Sequence, residues 1–578
     1  MKRILCILLF AVACKSPNEN PDYDFETHFE KTGGSETATY RQTIKYYNDL
    51  AEAYPEISID SMGKTDAGKP LHLVTYNPDA VFDFSEIRKN KRIILINNGI
   101  HPGEPDGIDA TMMLFRDLVQ GHISPPKNTV LATIPVYNVG GSLNRNSTTR
   151  TNQNGPKEYG FRGNARNYDL NRDFIKCDTE NAQTFARIFH LVEPDVFIDN
   201  HVSNGADYQY TLTHLFTQHN KLGGNLGHYL HTKMMPQLEK KLAEKDWDIT
   251  PYVNVFNRVP DLGFSQFMDY PRYSSGYTTL FNTLGMMVET HMLKPYKQRV
   301  EGTYGLMISM MEITEENGET IAELRKNASL EIQDRKTYAL DWEVDATKTS
   351  ILDFKGFEGE IKKSEITGLD RLKYDRSKPF TKKVTYQNHF KPTVEVDVPK
   401  AYMIPQGWWN VIDLLKLNAV EMTLLEKDTT ITVESYNILS YETRKTPYEG
   451  HYMHYGTQIQ KSVRTVNFAK GDYLVYTRQK AFRYLIETLE PQAPDSFFNW
   501  NFFDTVLQQK EGFSPYVWED KALEVLADDP ELYVAFAAKK SGEMDFATNW
   551  YAQLDWIHKH SKYYEKAHLQ YPVYRIVD

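Results

Sequence analysis

The chain has 578 residues, enough for two or more domains, with 41% hydrophobic and 25% charged residues, the proportions of ordinary globular protein. A net charge of −11 argues against a nucleic-acid binder, which needs a basic face. The cysteines are Cys6, Cys14 and Cys177; the first two fall in an N-terminal targeting segment. A disulfide framework is therefore excluded, and any metal site must be built from His and carboxylates.

Met1-Lys2-Arg3 is a basic start, and Ile4 to Ala13 is an apolar run too short to span a bilayer. Ala11-Val12-Ala13-Cys14 resembles a bacterial lipobox. On that resemblance residues 1–13 are a signal peptide, Cys14 is lipidated, and residues 14–37 hold the attachment site and a polar tether. One diacylated anchor would hold the protein on a membrane surface, periplasmic or cell-surface, without a spanning helix. Ala11 is less typical than Leu at its position, so ordinary secretion stays open.

Residues 38–325 alternate strand-like and helix-like segments, which predicts an α/β domain with a mixed, largely parallel sheet flanked by helices. Strands are expected at Leu71–Tyr76, Arg92–Ile96, Val130–Val136, Asp195–Ile198 and Met286–Val288, and amphipathic helices at Asp106–Val119, Glu180–Val192 and Leu222–Glu244. Residues 326–578 read as a β-rich accessory region with C-terminal helices. Val394, Val396 and Val398 share one strand face, and Ile431 and Val433 begin another.

Three apolar runs lead into polar residues. Ile93–Ile96 precedes Asn97-Asn98-Gly99-Ile100-His101-Pro102-Gly103-Glu104. Val196–Ile198 precedes Asp199-Asn200-His201, and Met286–Val288 precedes Glu289-Thr290-His291. Ligands of open α/β sheets bind beyond the carboxyl ends of the strands, so His101, Glu104, His201 and Glu289 are delivered to one candidate rim. Two His and one Glu as ligands, with a second carboxylate as base, is the inventory of a catalytic zinc site. A second HxxE, His190/Glu193, lies in a helical pattern that Pro194 should end, and reads as solvated surface. Asn167, Asp169 and Asn171 are spaced as in a calcium loop, but Arg172 stands where that loop needs Gly.

His101-Pro102-Gly103-Glu104, then Asn167-Tyr168-Asp169-Leu170-Asn171-Arg172-Asp173-Phe174, then Asp199-Asn200-His201 and Val288-Glu289-Thr290 follow one another in the order of the zinc metallocarboxypeptidases of the M14 family, which the chain resembles from Ala38 to Thr320. The resemblance implies one zinc ion per chain on His101, Glu104 and His201, with Glu289 as catalytic carboxylate. It implies Asn171 and Arg172 as the pair that holds a peptide's or protein's C-terminal carboxylate, and Asp169 as the acid that orients His101. Arg162 is similar in spacing to the family's oxyanion-stabilising arginine, with Arg145, Arg150 and Arg166 as rivals. Tyr273 is favoured over Tyr270 and Tyr277 as a mobile tyrosine. The family's usual Asn-Pro-Asp-Gly is replaced by Asn138-Val139-Gly140-Gly141, which puts that loop in doubt.

Other readings stay beside this one. Glu289 also suits a buried structural acid, Arg172 a partner for Asp169 or Asp173, and His291 a packed residue. A zinc amidase or deacylase acting on murein peptides or N-acyl amino acids would share the ligands, and a surface binding protein would keep a vestigial site. The aromatic stretches Trp408-Trp409 and Phe497–Phe503 suit a sugar or peptide platform, but packing against the catalytic domain is the stronger expectation.

Overall fold

The computed structural model describes residues 24–577; the expected signal segment, Cys14 and the first part of the tether lie outside the described residues. Nine strands are placed before residue 292. They are β1 (Ile57–Lys64), β2 (Pro70–Tyr76), β3 (Arg92–Asn97), β4 (Thr129–Ile134), β5 (Val196–Ser203), β6 (Leu212–Phe216), β7 (Ile249–Pro251), β8 (Phe264–Ser265) and β9 (Leu284–His291). All but β8 form an eight-stranded sheet in the order β1-β2-β4-β3-β5-β9-β6-β7. The central run β4-β3-β5-β9 is parallel, and antiparallel pairs lie outside it at β1–β2, β2–β4 and β6–β9.

The parallel strands are buried on both faces, as continuous apolar runs require. Alternate residues of β3 go to opposite cores. Ile94 and Ile96 pack with Ile108 and Phe115 of the helix Asp106–Val119, and with Leu306 and Met310 of the long helix Tyr296–Gln333. Ile93 and Leu95 pack with Phe185 and Phe189 of the helix Glu180–Val192. Each such fully buried side chain contributes about 1.5–3 kcal/mol. The second core does not stop at the N-terminal half: Tyr402, Leu485, Phe498 and Trp500 belong to it.

The expected helices Asp106–Val119 and Glu180–Val192 are present; the second is capped by the Thr179 side chain and ends at Glu193 in a left-handed conformation just before Pro194. The structure corrects two expectations. Leu222–Glu244 is not one helix: Gly223 and Gly224, at φ of 69° and 56°, interrupt it. A helix follows at Gly224–Tyr229, then a π-helical turn at Leu230–Met234, then a helix at Met235–Ala243. His190 is not solvated surface. Its ring lies 4.7 Å from Phe281, and the hydroxyl of Tyr277 meets its Nε2 at 3.3 Å, so burial pushes the imidazole down to about 4.

The accessory region begins with β10 (Thr337–Val344), β11 (Ser350–Lys363), β12 (Asp370–Gln387) and β13 (Phe390–Asp397). β10 pairs with β13 and β11 with β12, and β12 also runs parallel to β8 of the N-terminal half. A six-stranded sheet and helices complete it. The boundary expected at 325/326 falls inside the helix Tyr296–Gln333. The aromatic stretches pack rather than form a platform. Phe497, Phe498, Trp500 and Phe503 are buried, Trp408 meets Phe503 edge-on at 4.9 Å, and Trp409 is exposed. Among the described residues no helix is long and apolar enough to cross a membrane.

Candidate metal centre and active-site cleft

Glu289 and His201 sit inside strands, not beyond them: β5 and β9 run on in register, so His201 faces Glu289 across one ladder rung. His101 and Glu104 come from the tight turn after β3, where Glu104 N–H bonds the His101 carbonyl at 2.7 Å. The ring centroids of His101 and His201 are 5.1 Å apart. Glu104 lies between them, Oε1 3.2 Å from His101 Nδ1 and Oε2 3.1 Å from His201 Nδ1. One ligand atom from each of the three residues fits within 4.8 Å of the others, and all three residues are buried.

The outer nitrogens are held as well. His101 Nε2 meets Asp169 Oδ1 at 2.8 Å, and His201 Nε2 meets Asp199 Oδ2 at 3.0 Å. Each acid can take an Nε2–H, which leaves both Nδ1 lone pairs facing Glu104. Two imidazoles and a carboxylate with their acceptor atoms converged form the donor set that a divalent zinc ion takes. Burial alone would raise Glu104, but Arg150 and His101 outweigh it and hold its carboxyl well below the usual range. Burial would lower His201, but Asp199 outweighs it and the imidazole is raised well above its ordinary value. Glu289 goes the other way: burial, opposed by His201 and reinforced by Glu104, pushes its carboxyl up to about 7.

A cleft of about 280 Å³ opens over these residues; its wall includes Arg150, Arg162, Asn171, Arg172, Tyr252 and Tyr273. Asn171 and Arg172 stand on a short turn whose first N–H groups are capped by Asp169. The Arg172 guanidinium lies 4.4 Å over the Tyr273 ring and 3.9 Å from Asp169. Arg162 donates to Asp169 at 2.8 Å, lies 3.7 Å from Glu104, and leaves 44% of its side chain open to the cleft. Of its rivals, Arg150 also lines the cleft, with Nη2 2.5 Å from Glu104 Oε1. Arg145 bonds main-chain carbonyls of Thr37 and Glu158, and Arg166 pairs with Asp66; neither lines the cleft. Tyr270 is bound to Asp341 and Tyr277 to Asn418, so Tyr273 alone of the three candidate tyrosines lines the cleft. His291 is packed on Tyr208 at 4.1 Å and paired with Asp207, away from it.

Residues 43–194 match the family model Peptidase_M14, zinc carboxypeptidase. Over this segment, about a quarter of its length, the chain is similar to the M14 family. Carboxypeptidase 2 of Trichophyton rubrum is 30% identical over 109 residues, 18% of this chain and 20% of that protein. Carboxypeptidase 2 of Trichophyton tonsurans is 32% identical over 101 residues, 17% of this chain and 18% of that protein. The chain thus spans about a fifth of the length of the curated relatives it matches. Among solved structures, a metallo-carboxypeptidase from Burkholderia cenocepacia is 17% identical with a TM-score of 0.37, over 49% of this chain and 70% of that one. Carboxypeptidase A from Helicoverpa armigera is 14% identical with a TM-score of 0.37, over 49% of this chain and 75% of that one.

The matched segment includes His101, Glu104, Asp169 and Arg172 but ends before His201 and Glu289, so the place of those two rests on the sheet register. The unusual Asn138-Val139-Gly140-Gly141 packs against the segment that carries Arg162. Asn138 Nδ2 donates to the Arg162 carbonyl at 2.9 Å, and a Cβ on Gly141 would lie 2.4 Å from the Phe161 carbonyl. Asp199 and Tyr252 are site residues that the sequence reading did not single out. Asp199 had a signal, since it lies two residues before His201 on one strand and therefore on the same face. Tyr252 follows β7 in a loop with no such pattern; burial raises its hydroxyl, and the neighbouring Glu289 adds to that.

Proposed function

We propose that the chain is a zinc-dependent metallocarboxypeptidase that removes residues from peptide or protein C-termini. The observation that carries this reading is the convergence of His101, Glu104 and His201 on one point, with Glu289 beside it and Arg172 across the same cleft. When bound there, zinc supplies Lewis-acid polarisation and a water whose pKa falls to about 7. Glu289, with its own carboxyl near that value, is suited to accept the water's proton and pass it to the leaving amine. Arg162 and Arg150 aim positive charge at the place where an oxyanion would form. Arg172 offers a planar fork to a terminal carboxylate, and the Tyr273 ring beneath it fixes its plane.

We also place the catalytic unit within residues 38–333, since the long helix ends there, and hold Cys14 as the lipid-attachment residue of an extracytoplasmic protein. A zinc amidase acting on murein peptides or N-acyl amino acids uses the same ligands; the Asn171-Arg172 pair favours chain ends. The deciding experiment is a peptide ladder with free and amidated C-termini, run alongside metal analysis. Stepwise loss from free ends with one catalytic zinc supports the reading, whereas equal cleavage of amidated peptides overturns the terminal clamp.

A further inference from the structure

A second group of three histidines lies away from the cleft. His219 is in the short helix His219–Leu222, His231 in the π-helical turn Leu230–Met234, and His389 in the corner between β12 and β13. The His219 and His231 rings are stacked at 4.1 Å, and His389 stands nearly perpendicular to both, 5.0 Å and 5.5 Å away. One nitrogen from each lies within 4.8 Å of the others. His219 is nine-tenths buried with Nε2 unpartnered, and His231 Nδ1 is likewise buried and unpartnered. No side chain hydrogen-bonds to any of the three rings among the described residues. A buried polar atom left without a partner costs about 1–3 kcal/mol, so this cluster is unfavourable unless something takes up its lone pairs.

The surrounding backbone holds the cluster in place. Gln218 Nε2 donates to the Asn388 carbonyl at 2.9 Å, and Asn220 Oδ1 accepts the Phe390 N–H at 2.8 Å. The neighbours of His219 are thereby tied to the neighbours of His389. The helix that leads to His231 approaches so closely that a Cβ on Gly227 would lie 2.2 Å from the His219 carbonyl. The π-turn adds a residue to the helical path, a rare device that recurs at functional sites. Burial, with the rings' mutual repulsion, pushes His219 down to about 3, and burial also lowers His231 and His389. All three are therefore neutral at pH 7, the form that donates a lone pair to a metal.

We propose that His219, His231 and His389 form a second metal site, for a borderline divalent cation such as Zn2+, which cross-links the flank of the catalytic sheet to the accessory hairpin. Three imidazoles select Zn2+, Cu2+ or Ni2+ over Mg2+ or Ca2+. Binding tilts the half-buried His231 ring out of its stack so that its lone pair meets the ion, and water fills the fourth position.

The test uses the full-length chain, stripped of metal and titrated with Zn2+, with the metal retained after desalting measured directly. Two equivalents are expected for the wild type. One should remain in His201→Ala, and one in the double variant His231→Gln/His389→Asn, whose changes fall at half-buried positions. In the His201→Ala background, Co2+ should give the visible bands of a tetrahedral nitrogen site, and Zn2+ should raise the Tm. Both effects should vanish when the double change is added. One equivalent in the wild type, lost completely in His201→Ala, overturns the second site. One equivalent that survives His201→Ala but is lost in the double variant supports this site and counts against the catalytic one instead.

Discussion

Glu449, from the accessory region, accepts the backbone N–H of Asp169 at 2.8 Å, and Asp169 in turn holds the outer nitrogen of His101 at 2.8 Å. The turn that presents Glu449 is locked: Gly450 sits at φ 79°, where a Cβ would lie 2.6 Å from the Tyr168 hydroxyl, and His451 pairs with Asp178 at 2.7 Å. The accessory region is thus the outermost layer of support for His101, a proposed metal ligand. Glu449→Ala should lower zinc affinity and kcat/KM together by about tenfold, the lower range for losing an outer-shell partner. Glu449→Gln keeps an acceptor oxygen and should restore most of both; equal loss in the two variants would show that the contact is only structural.

Glu289→Gln removes the proposed base and preserves shape. Turnover should fall by about 10²–10⁴-fold while stoichiometric zinc is kept, since Glu289 is not among the ligand atoms that converge. Unchanged turnover rejects Glu289 as the proton acceptor.

Asp199→Asn should weaken zinc binding by about 10–100-fold, because an amide cannot hold the His201 imidazole with the charge that Asp199 now supplies. Isothermal titration on the stripped protein reads this directly. An unchanged affinity would mean that the strand alone fixes the ring.

Arg172→Lys exchanges a planar fork for a point charge. Activity on peptides with a free C-terminus should drop by about 10–100-fold, as expected for losing a charged hydrogen bond of about 1.5–3 kcal/mol, mostly through KM. Residual activity on amidated peptides should not change. A parallel loss on both substrate types would remove Arg172 from carboxylate recognition.

Asp109 gives a pH prediction away from the cleft. It is buried and accepts the Tyr296 hydroxyl and the Ala38 N–H. Burial, only partly offset by the Thr37 and Tyr296 hydroxyls, raises its carboxyl from 3.8 to about 6. Between those values the native state holds a proton that the unfolded chain has lost, so stability falls as pH rises through the window. The shift corresponds to about 3 kcal/mol by the standard conversion. Asp109→Asn should remove this loss, so its Tm relative to wild type should be higher at pH 7 than at pH 4. A difference that does not vary with pH would contradict the assignment.

The N-terminal half was legible where candidate site residues follow a buried strand. The runs before His101, His201 and Glu289 are apolar because the parallel strands are buried on both faces, and that alone brings those residues together. The strand ends were not legible. β5 and β9 pair as far as Ser203 and His291, because a ladder partner, not apolar character, decides where a strand stops. His190 was misread for a related reason. Its partner Asn418 is 228 residues away, so a helix face that looks wet in isolation is covered in the fold. Glu449 carried no local signal, since its contact with Asp169 spans 280 residues. The Leu222–Glu244 pattern misled because its spacing suits a helix, while the adjacent Gly223 and Gly224 adopt the left-handed region that a helix cannot contain.

Lys221 and Glu487 form a buried ion pair at 2.8 Å, with Tyr338 donating to the second carboxylate oxygen and Arg483 to the carbonyls of Lys221 and Leu222. Cutting the chain after Gln333 would remove Glu487, the partner of the buried Lys221 ammonium, and uncover the apolar side chains of the core that both halves share. The halves therefore melt as one body, and calorimetry should record a single endotherm. A version truncated after Gln333 should therefore aggregate rather than fold as a smaller soluble unit.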